Sequence, residues 1–107
     1  MKKFLLLPLL LSTSLPALAD TPTFEIEIKD HQFHPAQLEI PAHQQVKLIV
    51  KNLDDTAEEF EGEDFHAEKV IAGHGEATIL VGPFGPGEFE FIGEFHEDTA
   101  KGALIVK

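Results

Sequence analysis

Cysteine, tryptophan, tyrosine and arginine are absent from the sequence, and the only methionine is Met1. Without cysteine, the chain can form neither a disulfide framework nor a thiolate metal centre. Serine occurs only at Ser12 and Ser14, and no His–Asp–Thr arrangement stands out, so nothing favours nucleophilic catalysis. A two-carboxylate hydrolase would need a deep substrate cleft, for which a domain this small has no room.

The first 19 residues predict export. Two lysines precede a short apolar run at residues 4–10, and an Ala-Leu-Ala sequence follows at residues 17–19. This is the pattern of a secretory signal peptide with its cleavage site. A membrane anchor would need about 20 uninterrupted apolar residues, whereas prolines and polar residues interrupt this segment. We therefore expect a cleavable signal peptide at residues 1–19, a periplasmic protein and no membrane insertion after cleavage.

The remaining chain, residues 20–107, predicts one small acidic domain. Its 88 residues suffice for a single core. The formal net charge of −11 becomes −13 when Lys2 and Lys3 are removed, because the leader contains no acidic residue. Such a charge argues against nucleic acid and against anionic membrane surfaces as partners. It is compatible with metal cations or with a basic protein partner.

Alternating apolar residues predict short strands rather than helices. Residues 23–29 alternate strictly, with three apolar side chains on one face. Further strands are predicted at residues 37–40, 46–50, 69–72, 77–81, 87–92 and 103–106. We expect residues 30–35 to be a break and residues 60–65 to be irregular, with a one-turn helix as an option near residues 61–68. Seven or eight short strands with frequent turn signals predict an all-β, antiparallel β-sandwich.

Residues 87–102 combine two strands with a polar loop. Phe89 and Phe91 alternate with two glutamates, and Gly93 then ends the alternation. The loop that follows places His96 among acidic residues before the last apolar run begins. Histidine and carboxylate side chains are common metal ligands, so this loop is the first candidate for a functional site.

Several segments together resemble the cupredoxins. The matching features are the Phe-x-Pro step at residues 33–35, the turn at residues 41–43 and the strand that ends at Asn52. The loops at residues 52–60 and 87–102 resemble those that carry copper ligands in that family. The resemblance implies a cupredoxin-like Greek-key β-sandwich.

Three shorter runs resemble one subgroup, the small periplasmic cupredoxin-like proteins related to the EfeO-type cupredoxin domain. These runs are Glu-Glu-Phe-Glu at residues 58–61, Glu-Lys-Val-Ile-Ala-Gly at residues 68–73 and Gly-Glu-Phe-His at residues 93–96. Proteins of this subgroup accompany ferrous-iron permeases. The resemblance therefore implies a role in a ferrous-iron uptake system.

The copper ligands themselves are mostly replaced. The resemblance places Glu58 at the first histidine position, Gly93 at the cysteine position, His96 at the second histidine position and Ala100 at the methionine position. A type 1 copper site needs two histidines, a cysteine thiolate and usually a weak methionine ligand. Only one of these four ligands remains, so we do not expect this protein to be a blue-copper electron carrier.

The residues in these two loops predict a site of one imidazole and several carboxylates. If the two loops meet as the resemblance implies, the candidate metal ligands are Glu58, Glu59, Glu94 and His96, with His66 and His74 as additional candidates. Oxygen ligands of this kind suit an iron or copper ion, with Cu(II) binding at least as well as Fe(II). The alternatives are that the Glu58-Glu59 pair is a solvated surface and that His96 only holds its turn. His31, His34 and His43 are interpreted as turn residues without a metal role.

Three functions remain open. The first is a metal-binding accessory of a ferrous-iron uptake system, which assists Fe(II) oxidation or delivers iron to an inner-membrane permease or a periplasmic iron- or copper-binding protein. The second is a metal-free module that binds a protein partner through the acidic loops and Phe84, the aromatic residue that its Pro-Gly-rich turn could leave exposed. The third is a periplasmic copper-binding chaperone, against which the lack of thiolate and thioether ligands counts.

Overall fold

The computed structural model describes residues 21–107, so the predicted signal peptide at residues 1–19 lies outside the described part of the chain. Within this range the chain forms nine strands. They are β1 (Thr23–Lys29), β2 (Gln32–His34), β3 (Gln37–Ile40), β4 (Val46–Asn52), β5 (Glu58–Gly62), β6 (Ala67–Ile71), β7 (Glu76–Val81), β8 (Gly87–Gly93) and β9 (Lys101–Val106). Two short 3₁₀ turns, Glu63–Phe65 and Glu94–His96, follow β5 and β8.

The strands form two packed sheets, which confirms the predicted cupredoxin-like β-sandwich. One sheet has the order β2-β1-β4-β7 and the other has the order β3-β9-β8-β5-β6. Two of the pairings are parallel, β1 with β4 and β3 with β9, whereas the sequence predicted antiparallel strands throughout. The alternation of apolar residues shows which face of a strand is buried, but it carries no information about the direction of the neighbouring strand.

The core lies between the sheets and is built from the inward positions of the alternating strands. Ile26 and Ile28 of β1 and Leu48 of β4 are fully buried on one side. On the other side Phe60 of β5 stacks on Phe91 of β8, with ring centroids 4.9 Å apart. Burial of apolar area of this kind is the main stabilising term of a domain that has no disulfide.

Residues 60–65 are ordered, and the prediction that they are irregular was wrong. Residues 58–62 form β5, and the 3₁₀ turn Glu63–Phe65 follows in the place where a one-turn helix was an option. The inward positions of β5 are Glu58, Phe60 and Gly62. Only one of these three is apolar, which hid the strand from an argument based on alternating hydrophobicity.

Phe84 is half-buried and packs against other aromatic rings, so it is not the exposed contact that its turn could have provided. Its ring stacks on Phe89 at 4.6 Å and meets the edge of Phe65 at 5.6 Å, measured between ring centroids. Among residues 21–107, the large exposed aromatic side chain is instead Phe95, which is 50% exposed. Phe95 lies in the 3₁₀ turn that also contains His96.

Residues 30–35, predicted as a break, contain a two-residue hairpin turn and β2. Lys29 pairs with Gln32, so Asp30 and His31 form the turn between β1 and β2. Both have positive φ, 54° and 58°, as the type I′ hairpin turn requires. The carboxylate of Asp54 holds this turn by accepting hydrogen bonds from the N–H groups of Asp30 at 2.8 Å and His31 at 2.9 Å.

No helix in residues 21–107 is long and apolar enough to cross a membrane.

Candidate metal centre

Glu58 points into one end of the sandwich. It opens β5, whose next inward residue, Phe60, pairs with Gly93 at the end of β8. Because alternate side chains of a strand share a face, Glu58 faces the core together with Phe60. The side chain of Glu58 is 2% exposed, so this carboxylate is part of the interior.

The Glu58 carboxylate is fully hydrogen-bonded. Its Oε1 accepts from the backbone N–H of Glu59 at 2.9 Å and of Phe95 at 2.8 Å, and its Oε2 accepts from Nδ1 of His96 at 2.6 Å. With Glu58 ionised and the His96 ring neutral, Nδ1 is the donor and Nε2 has no proton, because an ionised carboxylate can only accept. This is the arrangement by which a carboxylate orients a metal-binding histidine.

The positions that the resemblance assigns to four copper ligands converge here. A Cβ atom at Gly93 would lie 2.6 Å from Cδ of Glu58 and 2.6 Å from Cβ of Ala100. Ala100 is fully buried, and its carbonyl accepts from the N–H of Gly93 at 2.9 Å. The buried carboxylate therefore takes the space beside Gly93, and no thiolate or thioether is present. These residues do not fit a type 1 copper ion.

A second imidazole lies against His96. The ring of His31 stacks on that of His96, with centroids 3.6 Å apart and planes 11° from parallel. Nε2 of His31 lies 3.5 Å from Oγ1 of Thr56, the outer limit of a hydrogen bond. The sequence interpretation gave His31 no metal role. The available signal was its position in a two-residue hairpin turn, where glycine or asparagine would be the usual choice.

Glu59 and Glu94, predicted as ligands, lie on the outer face of the five-stranded sheet. Glu59 alternates with Glu58, so its side chain points away from His96. The carboxylate of Glu59 lies close to that of Glu68, while the carboxylate of Glu94 lies close to that of Glu61. Reduced hydration and the contact with Glu68 raise the pKa of Glu59. The structure thus places Glu59 among other carboxylates and away from His96. Glu94 opens the 3₁₀ turn that contains His96 and lines the same surface pocket, with its carboxylate near Glu61.

Crowding of these carboxylates affects Glu61 most. The hydrogen bond with Glu94, reduced hydration and nearby negative charges raise the pKa of Glu61 from its usual 4.5 to about 7. The folded chain therefore binds this proton more tightly than the unfolded chain does. Stability is lost as the pH rises through about 7 and Glu61 ionises.

We therefore expect Glu61→Gln to raise the midpoint of thermal unfolding at pH 8 and to leave it nearly unchanged at pH 4.5. At the lower pH, Glu61 of the folded wild-type chain already carries its proton. Glu88→Gln, an exposed change on β8, is the control, and we expect it to show no such pH-dependent gain. An equal effect of Glu61→Gln at both pH values would contradict the assignment of a raised pKa to Glu61.

The two additional candidates, His66 and His74, lie elsewhere. His66 is exposed and follows the 3₁₀ turn after β5, beyond the opposite end of that strand from Glu58. His74 lies in the turn between β6 and β7, where its Nε2 is 2.6 Å from Oδ1 of Asp55. Across residues 21–107, no group of three or more His, Asp or Glu side chains is arranged to hold a metal ion.

The arrangement offers nitrogen donors rather than a closed cage. Glu58 orients His96, His31 lies beside it, and the side chain of His96 is 25% exposed. An ion bound there would take its remaining ligands from water or from a second protein. Imidazole nitrogen suits copper, zinc, nickel and iron, with Cu(II) the tightest of the divalent ions.

Comparison with known proteins shows which family the chain matches. A family model described as cupredoxin-like domain matches residues 3–106. An uncharacterized protein of Rickettsia prowazekii (strain Madrid E) is 46% identical over 82 residues, which are 77% of this chain and 66% of that protein. The chain thus spans just under two thirds of that relative's length.

Solved structures share the fold at low identity. The metal-binding domain of the Cu(I)-exporting P-type ATPase CopA of Streptococcus pneumoniae D39, solved with Cu(I), has a TM-score of 0.71 at 18% identity, covering 79% of this chain and 84% of that chain. Auracyanin A, a blue copper protein of Chloroflexus aurantiacus, has a TM-score of 0.68 at 16% identity, covering 82% of this chain and 100% of that chain. On the match over residues 3–106, the chain belongs to the cupredoxin-like domain family.

Proposed function

We propose that this chain is a periplasmic metal-binding accessory protein in which His96 binds the metal and Glu58 orients His96. The observation that carries the proposal is the 2.6 Å hydrogen bond from Nδ1 of His96 to the buried Glu58 carboxylate. This bond leaves Nε2 as the metal-binding nitrogen, at the end of the sandwich where the family's copper ligands converge. In this role Glu58 is an orienting residue and not a direct ligand, because both of its oxygens already accept hydrogen bonds.

The proposed cargo is Cu(II) or iron. The formal charge of −13 on residues 20–107 and the outer carboxylates around Glu61 attract cations to the domain over the range of the Debye length. An open site with few protein ligands also releases its ion readily, which suits delivery to another protein. The setting we propose is a ferrous-iron uptake system, because residues 58–61, 68–73 and 93–96 resemble the cupredoxin-like proteins of such systems. The receiving partner would be an inner-membrane permease or a periplasmic iron- or copper-binding protein.

A Cu(II) titration of residues 20–107, followed by calorimetry and EPR, tests the proposal. We expect one site with nitrogen coupling that is lost in His96→Ala. We expect Glu58→Gln to weaken binding by about 10- to 100-fold, the usual effect of removing a partner that orients a ligand. The amide group that this substitution introduces donates to Nδ1 of His96, so the proton of the neutral ring moves to Nε2 and blocks the metal-binding atom.

His43→Ala is the matched control, because His43 is an exposed histidine whose backbone N–H bonds the carbonyl of Phe84, away from the site. It should bind Cu(II) as the wild type does. Binding that is unchanged in His96→Ala would reject the metal-binding proposal. Unchanged binding in Glu58→Gln alone would reject only the orienting role of Glu58.

The second candidate function is a metal-free module that binds a protein partner. Two observations favour it: Glu58 is already satisfied by three hydrogen bonds, and residues 21–107 contain no closed group of metal ligands. In that case Phe95, 50% exposed beside acidic residues, replaces Phe84 as the aromatic contact for a basic partner. A Cu(I) chaperone is the least supported function, since the soft sulfur ligands of Cu(I) are missing from residues 20–107.

A further inference from the structure

We propose that the outer face of the five-stranded sheet is a docking surface for an extended segment of a partner protein that is rich in lysine or arginine. The surface is a groove that crosses the sheet, and the described residues that line it include neither Phe95 nor His96. The inference therefore goes beyond the proposed metal-binding function and does not rest on it.

The groove consists of three adjoining depressions. The first, of about 480 Å³, lies over β8 and β9 and reaches Gln37 at the start of β3. The second, of about 110 Å³, shares Glu90 and Ile92 with the first. The third, of about 280 Å³, shares Glu61 with the second and reaches Glu68 of β6. Together the depressions lead across the sheet from β3 to β6.

The length of the groove fits a short extended chain. β3 and β6 are the two edge strands of this sheet, and four strand spacings separate them. At about 4.8 Å per spacing, the groove is about 19 Å long, which about six residues of extended chain span at ~3.3 Å each. An extended segment that crosses the strands places alternate side chains toward the sheet.

The floor of the groove is apolar where β9 passes beneath it. Ala103 lies between its register partners, Gln37 of β3 and Glu90 of β8. Because its methyl group is shorter than these neighbouring side chains, the first depression stays open above it. Ile92 adds an apolar wall. A partner segment can therefore bury the apolar stems of its lysine or arginine side chains here.

The walls of the groove carry an excess of negative charge. Among the described residues that line it, one is a lysine, Lys101. The lining carboxylates number six and are Glu61, Glu63, Asp64, Glu68, Glu88 and Glu90. A surface of this charge attracts a cationic partner and repels anionic ones.

The outer face of the four-stranded sheet is balanced in charge by comparison. Its outward positions on β1, β4 and β7 carry three lysines and three glutamates, Lys29, Lys47, Lys51, Glu25, Glu27 and Glu76. Nζ of Lys51 lies 2.8 Å from Oε2 of Glu25. The negative charge of the domain is thus concentrated on one sheet. Solubility requires a net charge but not this concentration, whereas electrostatic docking of a partner does require it.

Two carboxylates oppose each other across neighbouring strands of the groove. Glu61 of β5 is the register partner of Glu68 of β6. Like charges directly opposite each other destabilise a sheet. A lysine or arginine of the partner placed between them would replace this repulsion with attraction, so binding relieves a contact that costs the free protein stability.

A labelled peptide of alternating lysine and alanine, about twelve residues long, tests the inference when it is titrated with residues 20–107. We expect saturable binding by fluorescence anisotropy, and shifts of the backbone amide signals of Glu61, Glu90 and Ala103 in NMR spectra. Glu61→Gln combined with Glu90→Gln should lower the affinity about tenfold, since each exposed ion pair contributes up to about fivefold. Ala103→Leu, which fills the first depression without changing the charge, should lower it about fivefold.

Glu27→Gln combined with Glu76→Gln is the matched control, because it removes the same charge from the outer face of the other sheet. It should change the affinity for the peptide by about twofold or less. His96→Ala should bind the peptide as the wild type does, whatever its affinity for Cu(II). Failure of this inference is therefore distinct from failure of the proposed function.

Four results would overturn the inference. The first is the absence of saturable peptide binding. The second is an equal loss of affinity in the two double variants, which would mean attraction by net charge alone. The third is a set of amide shifts confined to residues 94–99, which would place the peptide at the metal centre. The fourth is a shift of the groove amides with Mg(II) but not with the peptide, which would make the groove a cation site.

Discussion

Replacing Glu58 by alanine is expected to lower the free energy of unfolding by about 3–4 kcal/mol. The variant leaves the N–H groups of Glu59 and Phe95 without their acceptor and opens a cavity beside Gly93 and Ala100. Each buried donor without a partner costs about 1–3 kcal/mol. Against a total stability of about 5–15 kcal/mol for a typical domain, this loss is large. Chemical denaturation followed by far-UV circular dichroism measures it.

Two further variants test whether the lost hydrogen bonds of Glu58 cause the loss of stability. Glu59→Ala removes a neighbouring carboxylate that points outward, so it should change stability little or increase it slightly by reducing repulsion with Glu68. His96→Ala removes one partner of Glu58 but leaves both of its N–H hydrogen bonds, so we expect a smaller loss of about 1 kcal/mol. An equal effect of Glu58→Ala and Glu59→Ala would show that the buried carboxylate does not support the loops.

Replacing Phe91 by alanine is expected to lower the free energy of unfolding by about 3–5 kcal/mol. Phe91 is 1% exposed, its ring stacks on Phe60, and the edge of its ring contacts Phe33 with centroids 4.8 Å apart. It also covers its cross-strand partner Gly102, where a Cβ atom would collide with the ring. The same denaturation measurement applies.

Leu80→Ala is the control for the loss of a large apolar side chain, because Leu80 is exposed on β7 and its removal should change stability by about 0.5 kcal/mol or less. A second check uses Gly102→Ala. This change should destabilise the wild type but destabilise Phe91→Leu less, because the smaller side chain leaves room for the new methyl group. If the effects of the two changes on the free energy of unfolding are simply additive, Phe91 and Gly102 are not in contact.

The sequence predicted the strands well where buried positions carry apolar residues and exposed positions carry polar ones. β1, β4, β7 and β8 alternate apolar and polar residues, and each was predicted within about two residues of its observed bounds. β5 was missed because a core position carries a charged residue, Glu58. A charged residue in the core is the kind of local inconsistency that marks functional sites, so this failure and the candidate site have the same origin.

The candidate site was predictable only in part. Position in the motif was enough to select Glu58 and His96, but it could not show that the carboxylate binds the imidazole. Glu59 looked equivalent to Glu58 because the strand that gives their side chains opposite directions was not recognised. Glu94 belongs to the turn that contains His96, and its contact with Glu61 was not visible in the sequence. His31 lies 65 positions before His96 in the sequence, and only the pairing of β1 with β4 and β2 brings its turn to this end of the sandwich.

The position of β9 has a consequence for how the chain folds. β9 spans Lys101–Val106 and lies inside its sheet, between β3 and β8, with β3 as a parallel neighbour. The sheet therefore cannot close until β9 is available, and contacts so distant in sequence slow folding. During synthesis β3 and β8 remain without the strand that joins them. The five-stranded sheet is thus incompletely packed until β9 has been synthesised.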